Sequence, residues 1–242
     1  MDKISVVYSK DFLADYPTVD CECPDRVEKI YSHIRNIADF TEPGPCGISD
    51  LMLCHSEQLV RSVQRDPVIY DIACRSAGGA MKAAELALQR PSFALIRPPG
   101  HHAGHDFNGG FCFFNNMTIA IKGLVSKGLI RNALIIDIDL HYGNGTYDIV
   151  RGDGNIEFVN IDPASREDFF SDIEAALKKA SSFDMLCCSA GFDTYIRDWG
   201  GLLFTEDYRK AGHMLASSNP HFLRSLKAVT ISLTSASMFM HI

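Results

Sequence analysis

The stretch "ALIIDIDLHYGNGT", residues 133–146, is an apolar run that ends abruptly in a row of polar side chains. Residues 133–136 are apolar without a break, the pattern of a strand buried on both faces of a parallel sheet. Asp137, Asp139 and His141 then take alternate positions, and a strand running into a loop projects alternate side chains the same way. A bare Asp-x-Asp pair reads equally well as carboxylates holding loop amides. The added histidine, with the small residues Gly143, Asn144 and Gly145 behind it, turns the reading toward a metal site.

Three more short apolar runs end beside unusual residues: "FALI" before Arg97, "EFVNI" before Asp162 and "DMLCCS" before "AGFD". "ISVVY" at residues 4–8 reads as a further strand. Helical patterns lie between them. Residues 25–37 carry Val27, Ile30, Tyr31 and Ile34 at helical spacing; Ser56 is placed to cap a helix bearing Leu59, Val60 and Val63. An alanine-rich helix is predicted over 71–90, where Gly78 and Gly79 permit close packing, and others over 116–125, 165–179 (Asp168 completing a capping box) and 205–216. Strands alternating with helices predict a single α/β domain of three layers around a mostly parallel sheet. Ligands in such folds bind beyond the carboxyl ends of the strands, where all the odd residues here fall.

The bulk properties agree. A chain of 242 residues, 46% hydrophobic and 22% charged, supplies one substantial core. A net charge of −7 without any Lys/Arg run argues against a nucleic-acid partner. Neither a signal peptide nor a membrane span is legible, so a cytoplasmic protein is expected. Cys54, Cys74, Cys112, Cys187 and Cys188 sit in apolar settings suited to reduced thiols, and "CEC" at Cys21 and Cys23 lacks a second pair to complete a zinc site.

Asp193 in "SAGFD" follows the next apolar strand after "ALIID" and "EFVNI", so the fold is expected to carry it to the same edge as Asp139 and His141. Two oxygens and one nitrogen suit Zn²⁺, with Fe²⁺ or Co²⁺ as alternatives, and three protein ligands leave room for water and a substrate carbonyl. Hydrolysis at such a centre needs groups that take and return a proton. The tandem His101 and His102, in the Pro/Gly-rich loop of "RPPGHHAGHDFNGGFCFFNN" (residues 97–116), are available for that role.

Together "RPPGHHA", "GGFCFFNN", "DIDLHYGNGT" and "SAGFD…DWGG" resemble the zinc-dependent histone deacetylase superfamily, which includes acetylpolyamine amidohydrolases and acetoin-utilisation proteins and has the arginase-like α/β fold. The resemblance is collinear from the first strand to about Gly212. It implies Asp139, His141 and Asp193 as zinc ligands and His101 and His102 as the general base/acid pair. Asp137 would orient His101 and help, through its backbone, to hold a monovalent cation such as K⁺. Asn144 stands where the family has Asp or Asn behind His102. Gly110 and Phe111 resemble the floor and aromatic wall of a narrow substrate tunnel, whereas Phe113 and Phe114 read as core. The implied reaction is removal of acetyl from acetylated lysine, a polyamine or a related amine.

The resemblance breaks at the C-terminus. Family members hold the oxyanion with a tyrosine in an "EGGY"-type turn after another strand, but here residues 216–242 read "ASSNPHFLRSLKAVTISLTSASMFMHI". Back-translated from the third base of the Phe222 codon, with free choice of third bases, the same segment spells Phe-Ala-Val-(Leu or Phe)-Glu-Gly-Gly-Tyr-Asn. The expectation is therefore a truncated catalytic domain over 1–218 and an out-of-frame tail over 219–242, with activity impaired by loss of the oxyanion donor. "AVTISLT" is the segment that would restore a strand if the tail is native. Lesser departures are Tyr142, where the family often has histidine, and short connections that remove part of the tunnel rim. Two other readings stand beside the deacetylase: a non-catalytic protein that binds an acetylated ligand, and an arginase-type binuclear manganese hydrolase.

Overall fold

The computed structural model describes residues 4–219 and 221–226. Its strands are β1 (Ile4–Val7), β2 (Ala38–Thr41), β3 (Ser92–Ala94), β4 (Ala133–Asp137), β5 (Ile156–Asn160), β6 (Met185–Ala190) and β7 (Phe222–Leu226). They form one sheet in the order β2-β1-β3-β7-β6-β4-β5, with every pairing parallel. All residues of β3, β4 and β6 are buried, as unbroken apolar runs demand when helices cover both faces. The carboxyl ends of all seven strands share one edge, and β3, β6 and β4 carry there the loops of His101, Asp193 and Asp139.

The helices are α1 (Asp25–Ile34), α2 (Ile48–Leu51), α3 (Glu57–Val63), α4 (Pro67–Ala87), α5 (Asn116–Ser126), α6 (Asn144–Val150), α7 (Arg166–Leu177) and α8 (Thr205–Ser218). α4 packs on α5 and on β1, β3 and β7, while α7 packs on α8. Ser56 caps α3, its side chain accepting the Leu59 N–H, and Ser165 caps α7 through the Asp168 N–H. α4 begins four residues before its predicted start because the Asp66 carboxylate accepts from the Val68 and Ile69 N–H groups and Pro67 opens the first turn. Within it Gly78 lies so close to the Gly44 carbonyl that no side chain fits, which is the close packing expected of the glycine pair.

Four elements were not legible. β2 is a short edge strand, α2 is a single turn, and α6 begins within the segment that reads as small loop residues. β7 lies between β3 and β6, pairing Leu223 with Ser92 and Cys187. Residues 228–234, "AVTISLT", lie outside the described residues, as does the rest of the tail beyond Leu226. The cysteines are reduced, with none held in a disulfide. Among the described residues no helix is long and apolar enough to cross a membrane.

Candidate functional site

The loop after β3 is fixed before it reaches its histidines. Arg97, buried, donates from Nε to Glu22 Oε1 at 2.7 Å and from Nη1 to the Ala14 carbonyl at 2.7 Å, with its guanidinium over the Tyr16 ring. Burial pushes the Glu22 carboxyl up, and Arg97 opposes that shift. Next, the Pro98 carbonyl accepts from Ser76 Oγ (2.7 Å) and Asn116 Nδ2 (3.0 Å), and the His101 carbonyl from the Thr146 N–H (3.0 Å). A loop whose carbonyls are so committed holds its side chains in place.

His101 and His102 stand with ring centroids 3.9 Å apart. The Nδ1–H of His101 donates to Asp137 Oδ2 at 2.8 Å, and that of His102 to Asn144 Oδ1 at 2.6 Å. Each pairing places the proton on Nδ1 of a neutral imidazole and leaves Nε2 as its basic nitrogen. Nε2 of His101 is buried and has no hydrogen-bond partner. The other Asp137 oxygen accepts the Asp139 N–H at 3.1 Å, tying the partner of His101 to the segment that carries Asp139.

Asp139, His141 and Asp193 converge, each offering a ligand atom within 4.8 Å of the others. His141 Nδ1 lies 2.7 Å from Asp193 Oδ2 and 3.3 Å from Asp139 Oδ1, and the His141 and His102 rings are 6.2 Å apart. Asp193 Oδ1 also accepts the Leu140 N–H at 3.0 Å, so the loop after β4 is clasped by the carboxylate that follows β6. Gly191 leaves the space that the Asp139 carboxylate fills; a β-carbon there would collide with it. Two buried carboxylates beside one imidazole make a donor set that fits a divalent cation and is costly without a positive charge.

Gly110 lies against the His102 imidazole with φ +52°, where a side chain would strike the ring. Phe111 follows, half-buried, with φ +65°, a strained backbone for a residue of its size. Phe114 is core and Phe113 packs on it from a partly buried position, as predicted. Tyr142 is half exposed among Tyr147 and Phe158. Tyr208 is buried with its hydroxyl 2.5 Å from Thr194 Oγ1, so it is a core residue.

Three residues near the site were given no role by the sequence reading, two of them within the quoted "DWGG". Asp198 has its carboxyl pushed up by burial and by the neighbouring Asp193 and Asp139. Trp199, 63% exposed, sets its indole edge-to-face with His141 at 5.4 Å between centroids. The signal available was that it is the sole tryptophan, six residues past Asp193.

His55 is the third. Fully buried, it donates from Nδ1 to the Gly104 carbonyl at 2.8 Å and accepts the Asn115 N–H at Nε2 at 2.9 Å, joining the two ends of the histidine loop. Burial lowers its pKa from 6.5 to about 4. A folded pKa below the unfolded one stabilises the native state fully above about pH 6.5, and that contribution is lost as pH falls toward 4. The contribution is about 3 kcal/mol. His55→Gln is expected to lower stability at pH 7 and to flatten the pH 6.5–4 limb of a urea-unfolding series; an unchanged limb would show that other groups set it.

The comparisons with known proteins agree with this geometry. The family model described as "Histone deacetylase domain" matches residues 20–180. A probable deacetylase of Methanothermobacter thermautotrophicus is 38% identical over 138 residues, 50% of this chain and 42% of that protein. The acetylpolyamine amidohydrolase of Mycoplana ramosa is 43% identical over 102 residues, 40% of this chain and 30% of that protein. The matches thus span less than half the length of these relatives. The crystal structure of an acetylpolyamine aminohydrolase from Burkholderia pseudomallei superposes with a TM-score of 0.84 at 20% identity, covering 99% of this chain and 97% of that one, a likeness of fold.

Proposed function

Because the chain belongs to the histone deacetylase family, we propose that it is built to hydrolyse the N-acetyl amide of an acetylated lysine, polyamine or related amine, at a metal centre made by Asp139, His141 and Asp193. The observation that carries this reading is the meeting of that ligand trio with the His101–His102 pair at one edge of the sheet. A divalent ion, zinc or alternatively Fe²⁺ or Co²⁺, supplies Lewis acidity toward the amide carbonyl and toward water.

The chain's own residues do the rest. Asp137 and Asn144 hold the two imidazoles so that both Nε2 atoms are left for proton transfer. One nitrogen takes the proton of the attacking water, and the pair returns a proton to the departing amine. Gly110 and Phe111 form the floor and wall beside His102, and the backbone of Asp137 is the place for a monovalent cation. In this reading residues 1–218 are the catalytic unit and 219–242 an out-of-frame tail without the oxyanion-holding tyrosine, so turnover is weak. A non-catalytic acetyl-ligand binder and a binuclear manganese hydrolase are the competing readings, and metal stoichiometry near two would favour the latter.

The test is release of acetate from an acetyl-lysine reporter and from N-acetylated diamines, before and after chelation. Slow release that chelation abolishes and Zn²⁺ restores is expected. No release from any of them, even with the tail repaired, would sink the reading.

A further inference from the structure

A second cluster of reactive side chains, none of them used by the metal centre, lies where the loop after β2 meets α4. That loop, "EPGPC" at residues 42–46, is stiffened by Pro43 and Pro45 and laid onto the helix at Gly78, where the Cys46 nitrogen comes within 2.9 Å of the place a β-carbon would take. The Cys46 N–H donates to the Cys74 carbonyl at 2.9 Å. Bond lengths then keep the two α-carbons within about 6.8 Å of each other, inside the span of a disulfide. The side chains meet as well. The Cys46 thiol hydrogen-bonds to the Cys74 sulfur, and the Tyr70 hydroxyl, one helical turn earlier, donates to the same sulfur. The Cys46 bond holds the Cys74 thiol below the ordinary thiol range, with burial opposing and Tyr70 helping. Cys46 is pushed up by the same bond and by burial. Cys74 is buried, whereas Cys46 reaches the surface in part. Two thiols that merely filled core space would need neither a pair of donors on one sulfur nor an outlet to solvent.

We propose that Cys46 and Cys74 form an oxidation site at which hydrogen peroxide converts the two thiols to a disulfide, stapling the loop after β2 to α4. The proposal is independent of the deacetylase reading. The Cys74 thiolate attacks one peroxide oxygen: a sulfur–oxygen bond forms, the oxygen–oxygen bond breaks, and the leaving hydroxide departs as water with the proton that Cys74 gave up. The Cys46 sulfur then attacks the Cys74 sulfenic acid, the sulfur–sulfur bond forms, and the hydroxyl leaves with the Cys46 proton as a second water. Two thiols are oxidised and one peroxide is reduced to two waters. The disulfide closes the loop from residue 46 to residue 74, and so restricts the unfolded chain. Its helix end lies two residues before Ser76, whose hydroxyl holds the Pro98 carbonyl of the histidine loop, so the staple stiffens the frame behind the site without touching it.

The full chain is treated under native conditions with a small excess of hydrogen peroxide, and its cysteines are mapped by mass spectrometry. The expected result is the loss of two hydrogens, one crosslinked peptide pair joining Cys46 to Cys74, and no change at the rest of the eight cysteines. The oxidised chain melts about 5–10 °C higher, and a phosphine reductant reverses the gain. Cys46→Ser leaves Cys74 as a sulfenic acid that dimedone traps. Tyr70→Phe, which removes one donor from the attacking sulfur, slows disulfide formation by about threefold. A crosslink between other cysteines, a full set of thiols surviving peroxide, or a dimedone adduct at Cys46 in Cys74→Ser would overturn the proposal. Should Cys46→Ser fail to fold, the map of the unsubstituted chain still decides the pairing. None of these readouts passes through acetate release or metal binding, so the oxidation site and the deacetylase reading stand or fall separately.

Discussion

Asp193→Asn is expected to weaken Zn²⁺ binding by about 10²-fold or more while leaving the metal-free protein as stable as before, or more so. The first half follows from ligand arithmetic. Structural zinc sites bind with roughly 10–16 kcal/mol over four ligands, about 3 kcal/mol each, and 1.4 kcal/mol is tenfold. The second half follows from burial. Asp139 and Asp193 are buried together, and two carboxylates in one site repel when nothing positive lies between them. Replacing one with its neutral isostere removes that repulsion, and the amide oxygen can still accept the Leu140 N–H. Thermal unfolding with and without Zn²⁺ checks both halves: the wild-type Tm rises on adding metal and that of Asp193→Asn does not. If the carboxylates served only to clasp loop amides, the variant would lose stability without metal and neither protein would respond to zinc.

The same distinction shows how much of the molecule was readable in advance. Unbroken apolar runs gave β4 and β6 within a residue or two, because a strand covered on both faces has no choice of composition, while β5, a partly buried edge strand, was found from a mixed run that holds Glu157 and Asn160. The alternate spacing of Asp137, Asp139 and His141, and the return of Asp193 after β6, were enough to expect Asp139, His141 and Asp193 to converge, since strand adjacency in a parallel sheet fixes which loops meet. What the residues could not reveal is held by long-range contact. β2 is too short and too mixed to announce itself, and α6 begins at Asn144 in a run that by itself reads as loop. His55 is joined to the histidine loop by contacts with residues 49 and 60 positions away, so nothing near it in the chain marks its role. Trp199 belongs to the same class: its partner is His141, across the sheet edge.

Replacing the segment from residue 223 onward by the sequence of the alternative frame, Phe-Ala-Val-Leu-Glu-Gly-Gly-Tyr-Asn and its continuation, is expected to raise kcat by about 10²–10³-fold with little change in Zn²⁺ affinity. β7 lies between β3 and β6, and its middle position, Arg224, is in register with Phe93 and Cys188 on the two flanking buried strands. A central parallel strand calls for an unbroken apolar run, and "FLRSL" breaks that rule where "FAVL" obeys it. The glycine–tyrosine turn after "FAVL" would leave the sheet at the edge where the carboxyl ends of β4 and β6 bring Asp139 and Asp193. A hydroxyl donor there would stabilise charge that develops only as the amide is attacked, so its effect falls on kcat and not on metal binding. The repaired chain should also melt higher, because an unbroken apolar run would replace a mixed one on a central parallel strand. Acetate release and thermal unfolding compared between the two chains measure both effects. Equal rates would mean that the tail as written already serves the chain, and coding DNA unable to spell the turn in any other frame would remove the reason for expecting a difference.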